Sequence, residues 1–395
     1  MAMKSIQRAG ALPIVFVLLA LSFATAAGAW QMGGGARKQG NPPDGSDVSG
    51  ALYSGTLGSQ RIVLEITQGN ATFKGRYFYM RYGKAIPLKG TRLPDGEFRV
   101  REFPDGKPNG AEWLLSASQG EASGFFCKCD VRVPAAPGAK PPLSISMGRA
   151  AAGMTYQDLL LDFPLKTDPE VSVGSDVAWA LRSDTRFKAA MPQLTRFPDK
   201  KVMDKVNAEL DAKLKESRLN SAEQFQGDPE ATEWEETLTV GLVSREVLSM
   251  NRVDFSNSPG TAHPDASTVP LTYDLRTGEI FDFKTFFRES GEIHVDEAKS
   301  ADEAEYQWPS DPLNRELVKL FLKHEGKPVE GCEDSEEEIL SHADNPILCF
   351  EKQGLAVGYE LSHATQGCGE ARIIPYKELG PLVRKDSPLH SLVER

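Results

Sequence analysis

From Ser49 to Pro134 the chain repeats one unit, a short β-patterned run closed by turn residues, and that cadence leaves it few folds. The runs are Ala51–Leu57, Arg61–Thr67, Ala71–Tyr82, Lys84–Leu88, Glu97–Glu102 and Ala111–Ser118. The breaks are Gln68-Gly69-Asn70, Tyr82-Gly83-Lys84, Pro94-Asp95-Gly96 and Pro104-Asp105-Gly106, each with a Gly, Asn or Asp suited to positive φ. An antiparallel meander, curled or closed, is expected. Residues 76–82, Arg-Tyr-Phe-Tyr-Met-Arg-Tyr, set Tyr77, Tyr79 and Arg81 on one face and Phe78, Met80 and Tyr82 on the other. Such a strand is either a platform on which a carbohydrate stacks or a strand covered on both faces.

The Pro-rich passage Val133–Pro142 is a loop or linker, residues 143–163 resume strand character, and Asp168-Pro169-Glu170 leads into a different order of elements. Val173–Phe187 reads as strand and Pro192–Pro198 as an extended lead-in. Asp199 can cap a helix to about Lys215, in which Val202, Val206, Leu210 and Leu214 form one apolar stripe. That stripe needs a sheet to cover. Thr237–Val243 and Val247–Phe255 supply it, followed by a hairpin with strands Val269–Leu275 and Ile280–Phe287 and a turn at Arg276-Thr277-Gly278-Glu279. A second helix starts at Asp311-Pro312 and runs to Gly326. Glu333–His342 is a short helix or a solvated loop. Pro346–Phe350, Leu355–Leu361 and Ala371–Pro375 close the sheet before a short helix over Tyr376–Val383. The class is α+β: an antiparallel all-β domain over 49–165, then an α+β domain over 170–390 with helices packed on a mostly antiparallel sheet.

Lys4 and Arg8 precede an apolar run from Ala11 to Ala27, and Ala27-Gly28-Ala29 precedes Trp30. This pattern reads as a signal peptide over residues 1–29, cut after Ala29, with an uncleaved anchor as the alternative. Residues 30–48 are Gly, Pro and polar and read as a flexible linker. The expectation is a periplasmic or secreted protein with no stable membrane anchor after cleavage. The formal net charge of −11 becomes still more acidic once Lys4 and Arg8 are removed. Such a surface repels nucleic acid and favours a basic protein partner, unless the acidity serves solubility alone.

Five cysteines, Cys127, Cys129, Cys332, Cys349 and Cys368, fit an oxidising compartment. The three late ones can supply one disulfide, with the pairing open. Cys127-Lys128-Cys129 is too close for an unstrained bridge within a strand, and a soft-metal site there would lack two of four ligands, so no metal is expected.

The sequence has no nucleophile elbow, phosphate loop, zinc helix or dinucleotide fingerprint, and no cofactor is expected. The histidines are scattered. His263 follows Gly260-Thr261-Ala262, precedes Pro264 and has Asp265 beside it, while His363 comes from another strand end. A His263/Asp265 pair could serve acid–base chemistry, although spacing names no nucleophile for it; the plainer role is a histidine bonded to backbone that fixes its loop. Gly260, His263 and Pro264 form the candidate ligand loop.

Three stretches carry a resemblance. GTAHPDASTVPLTYDLRTGEIFDFKTFF (260–287), FPDKKVMDKVNAEL (197–210) and GLAVGYELSHATQGCGEARIIPYKELGPLV (354–383) resemble an exported domain-of-unknown-function family. That family includes the extracellular domain of the lysozyme-sensing anti-sigma factor RsiV and the non-catalytic domain of the peptidoglycan deacetylase PdaC. The likeness spans roughly 170 to 385. It implies a non-enzymatic envelope binding protein whose partner is a basic protein such as lysozyme, or a cell-wall glycan, and a disulfide between Cys332 and Cys368 that leaves Cys349 spare. The deacetylase catalytic motifs are absent. Two other classes stay open: an envelope hydrolase acting on peptidoglycan or polysaccharide through His263 and Asp265, and a purely structural module.

Overall fold

The computed structural model describes residues 47–104, 106–128, 141–224, 233–257, 265–293, 309–324, 332, 336–362, 365–387 and 389–394. The expected leader and nearly all of the linker lie outside them.

Eight strands form a closed antiparallel barrel: β1 (Ala51–Leu57), β2 (Gln60–Gly69), β3 (Thr72–Tyr79), β4 (Ala85–Arg92), β5 (Phe98–Glu102), β6 (Glu112–Ala117), β7 (Glu121–Cys127) and β8 (Leu143–Arg149). Each strand pairs with the next, and β8 returns to β1 from Tyr53↔Arg149 to Leu57↔Ile145. Closure removes the free edges that an open meander would expose. It also brings backbones close: a Cβ on Gly55 or Gly124 would collide with the carbonyl of Ser146 or Leu114.

The barrel interior is filled by large side chains, among them Trp113, Tyr77, Tyr53, Phe73 and Phe98. Tyr77 stands edge-on to Trp113 at 4.7 Å. The buried Glu102 accepts from the Tyr77 hydroxyl, from Trp113 Nε1 at 3.1 Å and from Asn109 Nδ2 at 2.8 Å, so the interior acid is hydrogen-bonded rather than stranded. Burial, then the Glu102 charge, pushes the Tyr77 phenol up. Tyr77 faces inward while Phe78 faces outward against Tyr156, 4.9 Å away. Both faces of the 76–82 strand are therefore covered at these residues.

Among the described residues every strand pair outside the barrel is also antiparallel. β9 (Lys166–Thr167), β10 (Val171–Val173), β11 (Val177–Asp184) and β12 (Ala189–Arg196) make one sheet; β13 (Glu233–Val243), β14 (Val247–Asn257), β15 (Asp265–Asp274) and β16 (Glu279–Ile280) make a second; β17 (Ile347–Phe350), β18 (Gly354–Gly358) and β19 (Arg372–Pro375) make a third. Among the described residues the α-helices are α1 (Tyr156–Leu161), α2 (Lys200–Gln224), α3 (Pro312–Lys323), α4 (Glu336–Ser341) and α5 (Tyr376–Leu379). The class is mixed α+β. Among the described residues no helix is long and apolar enough to cross a membrane.

Four local expectations change. Residues 156–161 form a helix, not a strand, because Thr155 and Asp158 make a reciprocal capping box at its start. Pro192–Pro198 is no lead-in but largely β12, with Pro192 opposite Leu181. Asp199 caps α2 through the amides of Lys201 (2.8 Å) and Val202 (3.3 Å), yet the helix continues past Lys215, since Ser217, Arg218, Ser221 and Ala222 are buried. Finally, only Glu279–Ile280 of the expected Ile280–Phe287 strand pairs with β15. Asp282 caps a 3-10 turn over Phe283–Thr285, which lets Phe281, Phe286 and Phe287 all enter the core. A strand would have turned one of the adjacent pair outward.

Val202, Val206, Leu210 and Leu214 of α2 share a core with Leu248, Met250, Leu271 and Tyr273 of β14 and β15. Val63, Phe78 and Met80 from the barrel's outer surface join the same cluster. A buried ion cluster lies at this junction. Asp184 Oδ2 accepts from Arg186 Nη2 at 2.6 Å and Arg218 Nε at 2.8 Å. The two guanidinium groups also donate to the carbonyls of Met80, Leu160, Leu161 and Phe163.

Cys332 and Cys368 form a disulfide, as the resemblance implied. Cys127 is itself disulfide-bonded, while Cys129 lies outside the described residues. The leftover thiol is Cys349, buried beside Ser249 Oγ at 3.3 Å, with burial raising its pKa to about 11. At neutral pH it is a protonated, inert group.

Candidate functional site

The candidate loop Gly260, His263 and Pro264 lies outside the described residues, as does His363. It joins two strands that are described. β14 and β15 run as an antiparallel arm with Asp265 opposite Ser256. The described histidines sit elsewhere, at helix ends: His324 caps α3 with Nε2 3.1 Å from Glu378, His342 follows α4, and His390 is 3.5 Å from Glu394. Among the described residues no cluster of His, Cys, Asp and Glu has a metal-holding arrangement.

One face of the arm lines a groove of about 530 Å³. Asn251, Val253 and Phe255 of β14 form one wall, and Ile347, Glu360 and Glu370 stand among the residues opposite. Period-two alternation puts the three β14 side chains on this face together. Glu360 and Glu370 are the charged lining residues, both exposed, and neither is ion-paired among the described residues. Asn251 adds a buried side-chain oxygen that accepts no hydrogen bond. The groove thus offers acceptors and negative charge over an apolar floor. The Cys332–Cys368 bridge anchors the segment from which Glu370 projects.

The opposite face of the arm holds acids of another kind. Glu236 on β13 lies directly across from Asp254 on β14, under α2, where Ser217 Oγ is 2.7 Å from both Glu236 oxygens. Burial raises the pKa of Glu236 against the lowering effect of Ser217 and Arg252. Burial raises Asp254 as well, against Arg252, which is 3.1 Å away. Asp254 Oδ1 is buried without a partner. Sequence reasoning missed this pair; its signal was the acid and base placed two apart in Arg252-Val253-Asp254, inside an otherwise core-facing strand.

A third concavity, a cleft of about 850 Å³, opens between the Phe283–Ser290 segment, the start of α3 and the approach to β17.

Fold and sites together define a mixed α+β protein in which a filled eight-stranded barrel shares a core with a disulfide-linked, hairpin-bearing portion. No family model matches the chain, and no curated protein matches it. Solved structures do. One is a member of the DUF3298 family from Bacteroides fragilis, 16% identical, with a TM-score of 0.32 over 58% of this chain and 97% of that one.

Proposed function

We propose that this protein is an exported, non-enzymatic binding protein of the cell envelope, periplasmic or secreted, that recognises a basic protein of the lysozyme kind. The observation that carries the reading is the groove beside the β14–β15 arm, whose charged lining is two carboxylates with no ion pair among the described residues. An acidic groove on a chain of net charge −11 attracts a cationic surface at long range and orients it on approach. The Cys332–Cys368 disulfide fits an oxidising compartment. A hydrolase reading rests on His263, which lies outside the described residues, and on Asp265.

The test is calorimetric titration of residues 30–395 with a basic lysozyme at low and moderate salt. Saturable binding that weakens as salt rises, and weakens further in Glu360→Gln/Glu370→Gln, is expected. No heat at either salt would overturn the proposal and turn the search to glycans.

A further inference from the structure

We propose that the cleft beside α3 is a second binding site, which takes an amphipathic organic anion: a carboxylate held by Lys284 and Arg288 on an apolar body seated against Phe283, Leu313 and Leu348. Its volume, about 850 Å³, is that of small-molecule sites, which are apolar clefts with a few convergent polar groups. The three apolar residues come from the 3-10 turn, α3 and β17, and each is partly buried against the core with some surface left facing the cleft. Apolar surface left wet on three converging elements is a stabilisation that a ligand covering it would gain.

The charges decide what kind of ligand. Three acids line the cleft, and two are committed to the protein itself. Asp311 Oδ1 caps α3 through the amides of Leu313 (2.9 Å) and Asn314 (3.1 Å), and its Oδ2 accepts from Ser290 Oγ at 2.5 Å. Asp344 accepts from Asn314 Nδ2 at 3.2 Å. The third, Glu289, acts on Arg384, which is already paired with Asp386 at 2.8 Å. Arg288 and Lys284 are different. Among the described residues Arg288 donates only its Nε, to the Val383 carbonyl at 3.3 Å. That bond orients the guanidinium, and its terminal N–H groups have no partner among the described residues; Lys284 is a second cation with no ion pair among them. On a chain with eleven more acids than bases, two unpaired cations on one cleft select an anion. A planar carboxylate suits the free edge of a guanidinium, with the ammonium as a second contact.

This site is separate from the acidic groove, so it stands or falls independently of lysozyme binding. The full chain is titrated calorimetrically with dodecanoate and with dodecanol. Dodecanoate is expected to bind saturably, dodecanol at least about tenfold more weakly, and Arg288→Gln and Lys284→Gln each to lose about tenfold for dodecanoate with unchanged thermal unfolding. Equal affinity for acid and alcohol would overturn the proposal, as would variants that bind like the parent, or failure of both dodecanoate and N-acetylmuramic acid to bind. N-acetylmuramic acid carries its carboxylate on a sugar. If it displaces dodecanoate, or binds where dodecanoate does not, the natural source is a cell-wall acid sugar; if it does neither, the source is a lipid acid.

Discussion

Two acid clusters meet α2 at adjacent residues, Arg218 and Ser217, and they are built on contrary principles. At the barrel junction one carboxylate, Asp184, meets two arginines, Arg186 and Arg218. Under the β14–β15 arm two carboxylates, Glu236 and Asp254, share one arginine, Arg252. Burial opposes the charge of Asp184, but the hydrogen bonds and charge of Arg186, with the charge of Arg218 added, hold its pKa below the ordinary value. Under the arm the same penalty is not overcome, and both acids are pushed up. A surplus of cation fixes a charge permanently, while a surplus of acid leaves a site whose charge depends on pH.

The comparison breaks most sharply at Asp184. Asp184→Asn leaves two buried guanidinium groups facing a neutral amide, and a loss of about 3–5 kcal/mol is expected in denaturant unfolding. A change under about 1 kcal/mol would mean that the junction does not depend on the ion pair. Arg218→Met should cost less, about 2–3 kcal/mol, because Asp184 keeps its bidentate partner Arg186 while the carbonyls of Leu161 and Phe163 lose a donor. The two losses should not add, since the residues are in contact.

How far these features were legible differs by kind. The strand cadence from Ser49 showed an antiparallel meander because turn residues act locally. Closure depends on the pairing of β8 with β1, a contact remote in sequence to which no turn residue testifies. The stripe Val202–Leu214 identified α2, yet its length was hidden because Ser217 and Arg218 read as polar surface while their partners lie on β11 and β13 and in the 161–163 segment. Phe281–Phe287 looked like a strand because aromatic content outweighed the single cap at Asp282. Of the candidate site, the sequence pointed to the arm through its loop. The groove was not legible, because Glu360, just past β18, and Glu370, at the end of the bridged segment after Thr365, come from parts of the chain remote from the arm. Local chemistry is written in order along the chain; charge balance in a buried cluster is written only in its pairing.

The pH profiles sharpen the contrast. Asp184 is ionised more readily folded than unfolded, so its contribution is present above the ordinary aspartate pKa of 3.8 and is lost as pH falls through the lower folded value. Glu236 and Asp254 behave in reverse. They hold protons in the folded state that the unfolded chain releases, so their contribution is complete below their ordinary values of 4.5 and 3.8 and is lost as pH rises through the raised folded values. Amide exchange in β13 and β14 is therefore expected to quicken on going from mildly acidic to neutral pH, relative to β11 and β12. Equal protection ratios across that range would remove the distinction between the two clusters.

The smallest effect isolates the arm acid itself. Glu236→Gln keeps the side-chain shape and an oxygen for Ser217 Oγ, while removing the charge that burial and Asp254 both oppose. At neutral pH the variant should be as stable as the parent or more so by about 1 kcal/mol, and the acid-to-neutral change in β13–β14 exchange should shrink. Asp254 then shares Arg252 with no rival, and its own titration should move down toward the ordinary range. If Glu236→Gln instead destabilises the arm at neutral pH, Glu236 is working as an anion paired to Arg252, and the arm cluster belongs with the junction rather than against it.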